Sequence, residues 1–271
     1  MYILVVVSPP GGRSAIVSDD ELNDKLAHEA YPRSGGFDAR WVIDNQMGPN
    51  ALWLMEALTQ AMPIERNMKV LDLGCGRAIT SIFLAKEFGA RVWATDLWID
   101  ADDNHERIRE AEVEDRVTAV HAEAHALPFD LGFFDAIISV DAYQYFGTDD
   151  LYIGHIASYL RDEGRIGIVV PALLQEFEGT PPAELAPFWE WDFCCFHGPE
   201  WWRRHWTKSG IVKVESADLI DEGWRDWLRW SELIQPYTDG WMHEAGKRTV
   251  AMLEADRGKN LGFARVVAKK A

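Results

Sequence analysis

Cysteine is scarce in this chain, with three residues among 271. Cys75 stands between two glycines, and the other two are adjacent at Cys194 and Cys195. This number and spacing form no disulfide framework, so the composition excludes a small disulfide-stapled secreted domain. Reduced thiols are typical of the cytoplasm, and we therefore expect a cytoplasmic protein.

Positive charge and long apolar runs are also lacking. The 27 Lys and Arg residues oppose 44 Asp and Glu residues, which gives a formal net charge of -17. Binding to a nucleic-acid backbone requires clustered Lys and Arg, so this balance argues against DNA or RNA as a partner. No apolar run reaches the roughly 20 residues that span a bilayer, which argues against a membrane protein. The length remains sufficient for an α/β domain with a large core.

The chain is organised around an apolar run that ends in two closely spaced glycines. Val70, Leu71 and Leu73 predict a short strand that is buried on both faces of a parallel sheet. Gly74 and Gly76 allow the backbone to turn sharply and to approach a ligand without an intervening Cβ. The apolar residues that follow recur at helical spacing. A strand, a glycine turn and a helix N-terminus in this order present backbone N–H groups to a nucleotide-like ligand.

The spacing around this turn separates two possible ligands. A dinucleotide fingerprint would place a third glycine or an alanine at position 79, where the chain has Ile79. Asp72 would repel a diphosphate and would attract a ligand that carries an ammonium group and a sulfonium. Asp96 ends the next apolar run about twenty residues past the glycines, where a carboxylate meets ribose hydroxyls. The pattern therefore disfavours NAD.

Four motifs in order resemble the class I S-adenosylmethionine (AdoMet) dependent methyltransferases. Residues 70–76 and 95–96 look like the first two motifs, and residues 123–129 resemble a segment of the ubiquinone and menaquinone type, also called methyltransferase type 11. Residues 132–139 look like the fourth strand of the family. The resemblance covers about residues 69–170 and implies AdoMet as the cofactor. By the same resemblance, the cofactor-binding residues are expected to be Tyr31, Asp72, Gly74, Cys75, Gly76, Asp96, Leu97, Glu123, Ala124 and Asp141.

The fold predicted from these motifs is a doubly wound α/β fold with a seven-stranded, mostly parallel, Rossmann-like sheet. Residues 1–48 are expected to form an N-terminal tail and a helical cap, in which Ser18 and Glu21 make a capping box. The first 17 residues are either an added strand or a tail. Residues 49–271 are expected to form the AdoMet-binding domain, and the resemblance implies that its last two strands are antiparallel.

Two aromatic-rich insertions, at about residues 172–206 and 221–259, depart from the minimal family plan. Nine of the thirteen tryptophans lie between Trp189 and Trp241. Helical spacing favours core packing for several of them, whereas their number also fits the wall and lid of an acceptor pocket. The candidate residues on the substrate side are Tyr143, Trp191 and Trp202.

Catalytic and metal-binding candidates are few. Methyl transfer requires alignment of acceptor, methyl group and sulfur, and a base is needed only if the acceptor must first lose a proton. Tyr145, His197 and His205 are the candidate bases. His121 and His125 have the spacing of a zinc motif, but the glutamate of His-Glu-x-x-His is missing, so we predict no metal site.

The predicted function is AdoMet-dependent transfer of a methyl group to a small-molecule acceptor, in secondary metabolism by family analogy. Two alternatives stay open, namely an AdoMet-binding module without chemistry and a nicotinamide-dependent oxidoreductase. The sequence leaves open the oligomeric state and whether nitrogen, oxygen, sulfur or carbon accepts the methyl group, because this fold serves all four nucleophiles.

Overall fold

The computed structural model describes residues 18–271, so the strand or tail predicted for residues 1–17 lies outside the described residues. The strands are β1 (Lys69–Leu73), β2 (Arg91–Asp96), β3 (Val117–His121), β4 (Phe134–Val140), β5 (Leu160–Leu173), β6 (Val212–Leu219) and β7 (Leu261–Lys270). The helices are α1 (Asp19–Leu26), α2 (Ala39–Asn45), α3 (Ala51–Ala61), α4 (Ile79–Phe88), α5 (Ala101–Glu110), α6 (Tyr152–Ala157), α7 (Pro199–Thr207), α8 (Gly223–Ile234) and α9 (Gly240–Asp256).

The strands form one sheet in the order β3-β2-β1-β4-β5-β7-β6. The first five strands are parallel, and β7 runs antiparallel to both β5 and β6. The predicted doubly wound, seven-stranded, mostly parallel sheet is therefore confirmed. The strand order reverses between β1 and β4, and ligands of open α/β sheets bind beyond the carboxyl ends of the strands at such a switch point.

Local sequence signals fix the helix starts on the N-terminal side. Asn50 caps α3, since its side-chain oxygen accepts hydrogen bonds from the backbone N–H groups of Leu52 and Trp53 at 3.1 and 3.2 Å. The Ser18 hydroxyl accepts from the Glu21 N–H at 3.2 Å, which is half of the predicted capping box. The Glu21 carboxylate instead pairs with Lys25 at 2.8 Å, one helical turn further along α1.

The N-terminal helices share a core with the sheet. Leu22 of α1 and Val42 of α2 are buried in the same apolar cluster as α3, α4 and Val70 of β1. Helix α8 joins this face of the sheet, because Trp230 is fully buried and its indole N–H donates to the Gly48 carbonyl at 2.8 Å. A boundary at residue 49 therefore does not coincide with a gap in the packing, and the two predicted units stay a proposal.

The opposite face of the sheet is covered by α6 and α7. Trp202 and Trp206 of α7 are fully buried there, and both pack against the ring of Tyr143. The end of the first predicted insertion is therefore a core helix, and only its preceding segment lies outside the two main cores. That segment packs on the end of β5 through a smaller cluster that includes Leu185. Among residues 18–271, no helix is both long and apolar enough to cross a membrane.

Candidate AdoMet-binding site

A cavity of about 310 Å³ opens at the carboxyl edge of the sheet, beside the ends of β1 and β4. We call it the sheet-edge cavity. The segment between α2 and α3, the turn after β1 and the ends of β2, β3 and β4 contribute to its wall. The cavity is lined by eight of the predicted cofactor residues: Gly74, Cys75, Gly76, Asp96, Leu97, Glu123, Ala124 and Asp141.

Glycine is required at positions 74 and 76 for two reasons: both residues have a positive φ, and neither has room for a Cβ. Gly74 has φ +73°, and a Cβ at this position would lie 2.5 Å from the Cβ of Ala142. Gly76 has φ +53°, and its Cβ would lie 2.9 Å from the sulfur of Met47. The turn therefore packs directly against both the β4 end and the segment that precedes α3. Any side chain here would displace one wall of the cavity.

Asp96 is held in one orientation by backbone donors. Its Oδ2 accepts from the Gly76 N–H at 2.8 Å, which ties the end of β2 to the glycine turn. Its Oδ1 accepts from the N–H groups of Trp98 and Ile99 at 2.7 and 3.0 Å. Each carboxylate oxygen has more than one acceptor direction, so the side chain retains capacity for ligand hydroxyls inside the cavity. The carboxylate is therefore fixed at the cavity wall with acceptor directions left for a ligand.

Asp72 occupies a different place from the one predicted. It is 1% exposed and does not line the sheet-edge cavity. Its Oδ2 accepts from the hydroxyls of Thr80 and Ser81 at 2.6 and 2.7 Å, so the side chain ties β1 to the first turn of α4. Burial raises the pKa of Asp72 to about 6, while the two hydroxyls act in the opposite direction. The predicted direct contact with an ammonium group is therefore not supported by this geometry.

Glu123 presents an ionised carboxylate on the β3 side of the cavity. Its Oε1 lies 2.7 Å from Nδ1 of His125, and this hydrogen bond lowers the pKa of Glu123. The neighbouring Ala124 carbonyl accepts from the Tyr152 hydroxyl at 3.1 Å, which anchors the segment to the core. His121 instead contacts the Leu97 carbonyl at 2.8 Å, so the two histidines considered as a zinc motif have separate partners.

Asp141 ends β4 in a strained conformation with φ +54°, in the left-handed region that non-glycine residues rarely adopt. Its backbone N–H donates to the Val169 carbonyl at 2.8 Å, which fixes the position of the residue in the sheet. Burial raises the pKa of its carboxyl group to about 7, and the Gln144 side chain opposes this shift. A carboxyl group with this pKa exchanges protons readily near neutral pH.

Aromatic side chains stand at the mouth of the cavity. Trp98 and Tyr145 are 67% and 54% exposed, and their ring centroids lie 6.5 Å apart. Burial, followed by the charges of Asp141 and Asp192, raises the pKa of Tyr145. Tyr145 therefore lies where the sequence predicts, but its raised pKa keeps the phenol neutral, which makes a role as an ionised base unfavourable.

Four other predicted site residues belong to the core or to the surface. Tyr31 is 6% exposed, stacks near His28 with ring centroids 4.5 Å apart, and does not line the sheet-edge cavity. Tyr143 and Trp202 are fully buried, with ring centroids 5.7 Å apart, because α7 packs against the sheet at this point. None of these three side chains reaches the cavity wall, so the geometry does not support the ligand contacts predicted for them. Trp191 is 84% exposed and is also absent from the cavity wall.

The two histidine candidates for a base also lie outside the cavity wall. His197 stacks on Trp201 with ring centroids 3.7 Å apart, and its Nδ1 lies 3.1 Å from Glu176. His205 is buried, with Nε2 3.1 Å from the Gly147 carbonyl, and burial lowers its pKa. Both rings have structural partners, so neither is placed to take a proton from a ligand in the cavity.

The structure adds Arg77 to the predicted site. Arg77 follows the glycine turn, lines the cavity and donates to the Asp44 carbonyl at 2.8 Å. It is the only Lys or Arg in the cavity wall formed by the described residues. Burial lowers the pKa of Arg77, although a guanidinium remains charged at neutral pH. Because Arg77 directly follows Gly76, the sequence alone could have indicated that it lies beside the ligand.

Comparisons with known proteins agree with the geometry. Residues 70–164 match the family described as "Methyltransferase domain". The methyltransferase GfsG of Streptomyces halstedii is 29% identical over 116 residues, which are 42% of each chain. Geranyl diphosphate 2-C-methyltransferase of Streptomyces coelicolor is 31% identical over 173 residues, which are 64% of this chain and 58% of that protein. The chain thus matches roughly half the length of these relatives.

A solved structure extends the likeness beyond the matched domain. Phosphoethanolamine N-methyltransferase 2 of Haemonchus contortus, in complex with S-adenosyl-L-methionine, superposes with a TM-score of 0.68 at 19% identity. The superposition covers 94% of this chain and 60% of that one. The resemblance read from the motifs is therefore confirmed for residues 70–164, which match a methyltransferase domain, and the superposition shows that the fold is shared.

Proposed function

We propose that the sheet-edge cavity binds AdoMet and that the protein transfers the methyl group to a small-molecule acceptor. The observation that carries this proposal is Asp96, whose two carboxylate oxygens are fixed by backbone donors inside a cavity with a glycine floor. The similarity to methyltransferases supports the class of reaction. We retain a cytoplasmic location and a setting in secondary metabolism as parts of the proposal.

The residues that line the cavity fit the ribose, the adenine and the carboxylate of AdoMet. Asp96 would accept hydrogen bonds from the two ribose hydroxyls, and Glu123 would lie near the adenine amine, with Leu97 and Ala124 beside the ring. Arg77 would pair with the carboxylate of the methionine part, because it supplies the one guanidinium of the described cavity wall. Asp141 and Tyr145 would then border the space that an acceptor enters.

The bound cofactor supplies a methyl group that is already activated by a positively charged sulfur. The contribution of the chain is to hold the reacting atoms in line and to exclude water, which in favourable cases lowers a barrier by about 7–11 kcal/mol. The fixed carboxylate of Asp96 and the glycine turn provide the rigid side of this arrangement. The exposed rings of Trp98 and Tyr145 provide the side through which an acceptor approaches.

Calorimetric titration with AdoMet, S-adenosylhomocysteine and NAD tests the proposal. We expect the first two ligands to bind and NAD to fail, since Ile79 replaces the small residue of a dinucleotide turn. Binding of NAD alone would favour the oxidoreductase alternative. Binding of AdoMet without transfer to any acceptor would favour the alternative of an AdoMet-binding module without chemistry.

Replacement of Asp96 by alanine is expected to weaken S-adenosylhomocysteine binding by roughly ten- to a hundredfold. Hydrogen bonds to a charged group contribute about 1.5–3 kcal/mol, and a factor of ten corresponds to about 1.4 kcal/mol. The measurement is a calorimetric dissociation constant, with Asp102→Ala as a control because Asp102 is an exposed acid on α5. Unchanged affinity in a folded Asp96→Ala variant would remove Asp96 from the site.

Replacement of Arg77 by methionine is expected to weaken binding of S-adenosylhomocysteine by roughly tenfold, about the contribution of one charge-assisted hydrogen bond. The same variant should bind 5′-methylthioadenosine as the wild type does, because that nucleoside lacks the carboxylate. Arg109→Met is the matched control, since Arg109 is exposed on α5 and pairs with Glu106. An equal loss for both nucleosides would show that Arg77 acts through the fold.

A further inference from the structure

The Asp141 carboxylate has no cationic partner within residues 18–271. Among the described residues, its only side-chain hydrogen bond is a long one, from Nε2 of Gln144 to Oδ1 at 3.4 Å. Its Oδ2 lies against Gly48, where an added Cβ would come within 2.7 Å of that oxygen. Asp141 nevertheless forms part of the cavity wall, so its free acceptor capacity is available to a ligand.

Two further oxygen acceptors, on the 3₁₀ turn that follows Asp141 and on the turn packed against it, have no hydrogen-bond partner among residues 18–271. Gln144 is fully buried, and its Oε1 has no hydrogen-bond partner among the described residues. Oδ1 of Asp192 is also buried without a partner. Asp192 belongs to the 3₁₀ turn Trp191–Cys195, which packs against the 3₁₀ turn Tyr143–Tyr145. Neither residue lines the cavity, but buried polar atoms are nearly always paired, so the surroundings of Asp141 are short of hydrogen-bond donors, and Asp141 is the acceptor that a ligand in the cavity can reach.

The charged and titratable groups around Asp141 are neutral or negative. Gln144 and Tyr145 lie on the adjoining 3₁₀ turn, and the facing 3₁₀ turn contributes Cys195 and Asp192. On the side of Oδ2, Asp141 faces Gly48, which has no side chain and so contributes no charged group. The faces of Trp98 and Tyr145 at the mouth add negative quadrupoles, which attract cations. This end of the cavity is therefore suited to positive charge.

We propose that the methyl acceptor is an amine, which enters as an ammonium ion between Trp98 and Tyr145 and is held by Asp141. This inference rests on the proposed methyl transfer and specifies its acceptor. An alcohol, a thiol or a carbon nucleophile would bring at most one donor to the Asp141 carboxylate, whereas a primary ammonium brings three. The aromatic mouth further favours a positive head group over a neutral one.

In the proposed reaction, Asp141 accepts a proton from the bound ammonium ion. An ammonium nitrogen has no lone pair, so it first gives one proton to the Asp141 carboxylate. The freed lone pair forms the new nitrogen–carbon bond as the carbon–sulfur bond breaks and its electron pair stays on sulfur. The product nitrogen is again positively charged, and the proton on Asp141 passes to solvent. Burial raises the pKa of Asp141 to about 7, which suits it to accept and release this proton near neutral pH.

Matched amine and alcohol probes test the inference. Phenethylamine, tyramine and tryptamine are compared with 2-phenylethanol, tyrosol and tryptophol, which differ only in the head group. Calorimetric binding to the protein saturated with S-adenosylhomocysteine is one readout, and tritium transfer from labelled AdoMet is the other. We expect at least one amine to bind tenfold or more tightly than its alcohol and to accept the methyl group.

Asp141→Asn should abolish this amine preference while S-adenosylhomocysteine affinity changes less than threefold. Asp130→Asn, an exposed acid on the loop before β4, is the matched control and should retain the preference. In the wild type, amine affinity should rise with pH through about 7, because the raised pKa keeps the carboxyl group protonated below that value. The asparagine variant should lack this dependence.

The outcomes separate this inference from the proposed function. If S-adenosylhomocysteine fails to bind the wild type, the proposed function fails first. If it binds and no amine is preferred over its alcohol, or only alcohols are methylated, the amine inference alone is overturned. A tenfold or greater loss of S-adenosylhomocysteine affinity in Asp141→Asn, with amine preference intact, would also overturn it and would assign Asp141 to the donor site, as the sequence predicts.

Discussion

Gly74→Val is expected to weaken AdoMet binding by more than roughly a hundredfold, for two reasons. A non-glycine residue in the left-handed region costs about 1–2 kcal/mol. In addition, the new Cβ would lie 2.5 Å from the Cβ of Ala142, so either the glycine turn or the β4 end must move. A movement of the glycine turn would disturb the hydrogen bond from the Gly76 N–H to Asp96, and a movement of the β4 end would displace Asp141. The calorimetric dissociation constant for AdoMet measures the effect.

Gly132→Val separates the steric effect from the backbone strain. Gly132 has φ +71°, almost the same as Gly74, but an added Cβ there would meet no atom within 4 Å. The control should lose a similar amount of stability from strain and should bind AdoMet with wild-type affinity. AdoMet binding that survives Gly74→Val would place the cofactor away from the glycine turn.

Trp202→Ala is expected to lower the free energy of unfolding by about 3–5 kcal/mol, because truncation of a large buried aromatic leaves a cavity. Trp202 is fully buried and packs against Trp206 and Tyr143. For a chain of this size the corresponding fall in melting temperature is about 6–20 °C. The affinity of the folded variant for AdoMet should be close to that of the wild type, since Trp202 does not line the cavity.

Trp191→Ala is the matched control for this prediction. Trp191 is 84% exposed, and a surface substitution is usually within about 0.5 kcal/mol of neutral. We therefore expect a melting temperature near that of the wild type. A Trp202→Ala variant that keeps full stability and loses acceptor turnover would restore the lid prediction for this helix.

The cofactor side of the site was predictable because it depends on local sequence. The apolar run of β1, the glycines and the acid at the end of β2 each follow from backbone requirements within a few residues of chain. The structure brings Gly74, Gly76 and Asp96 together at one edge, as the strand order requires. Asn50 was equally readable as a helix cap, since its side chain bonds only to the next turn.

Asp72 shows where the local signal ends. Its place on the strand is correct, but the direction of its carboxylate is decided by two hydroxyls on α4, eight and nine residues later. Alternation along a strand does not reveal which side faces a partner when both sides are buried. The geometry therefore does not support the predicted ammonium contact, and the residue instead joins β1 to α4.

The aromatic segments could not be assigned from spacing alone. Helical periodicity in α7 indicates one apolar face, but it does not say whether sheet or ligand covers that face. In the structure the sheet covers it, so Trp202 and Trp206 are core residues. Trp98, which does stand at the cavity mouth, had no periodic signal because it follows a strand as an isolated aromatic.

A structure of the protein with S-adenosylhomocysteine bound tests the central claim most directly. The account predicts both ribose hydroxyls within hydrogen-bond distance of the Asp96 carboxylate, adenine beside Leu97 and Glu123, and the methionine carboxylate at Arg77. The sulfur should face the space between Asp141 and Tyr145. A nucleoside bound outside the sheet-edge cavity, or one whose ribose has no contact with Asp96, would contradict it.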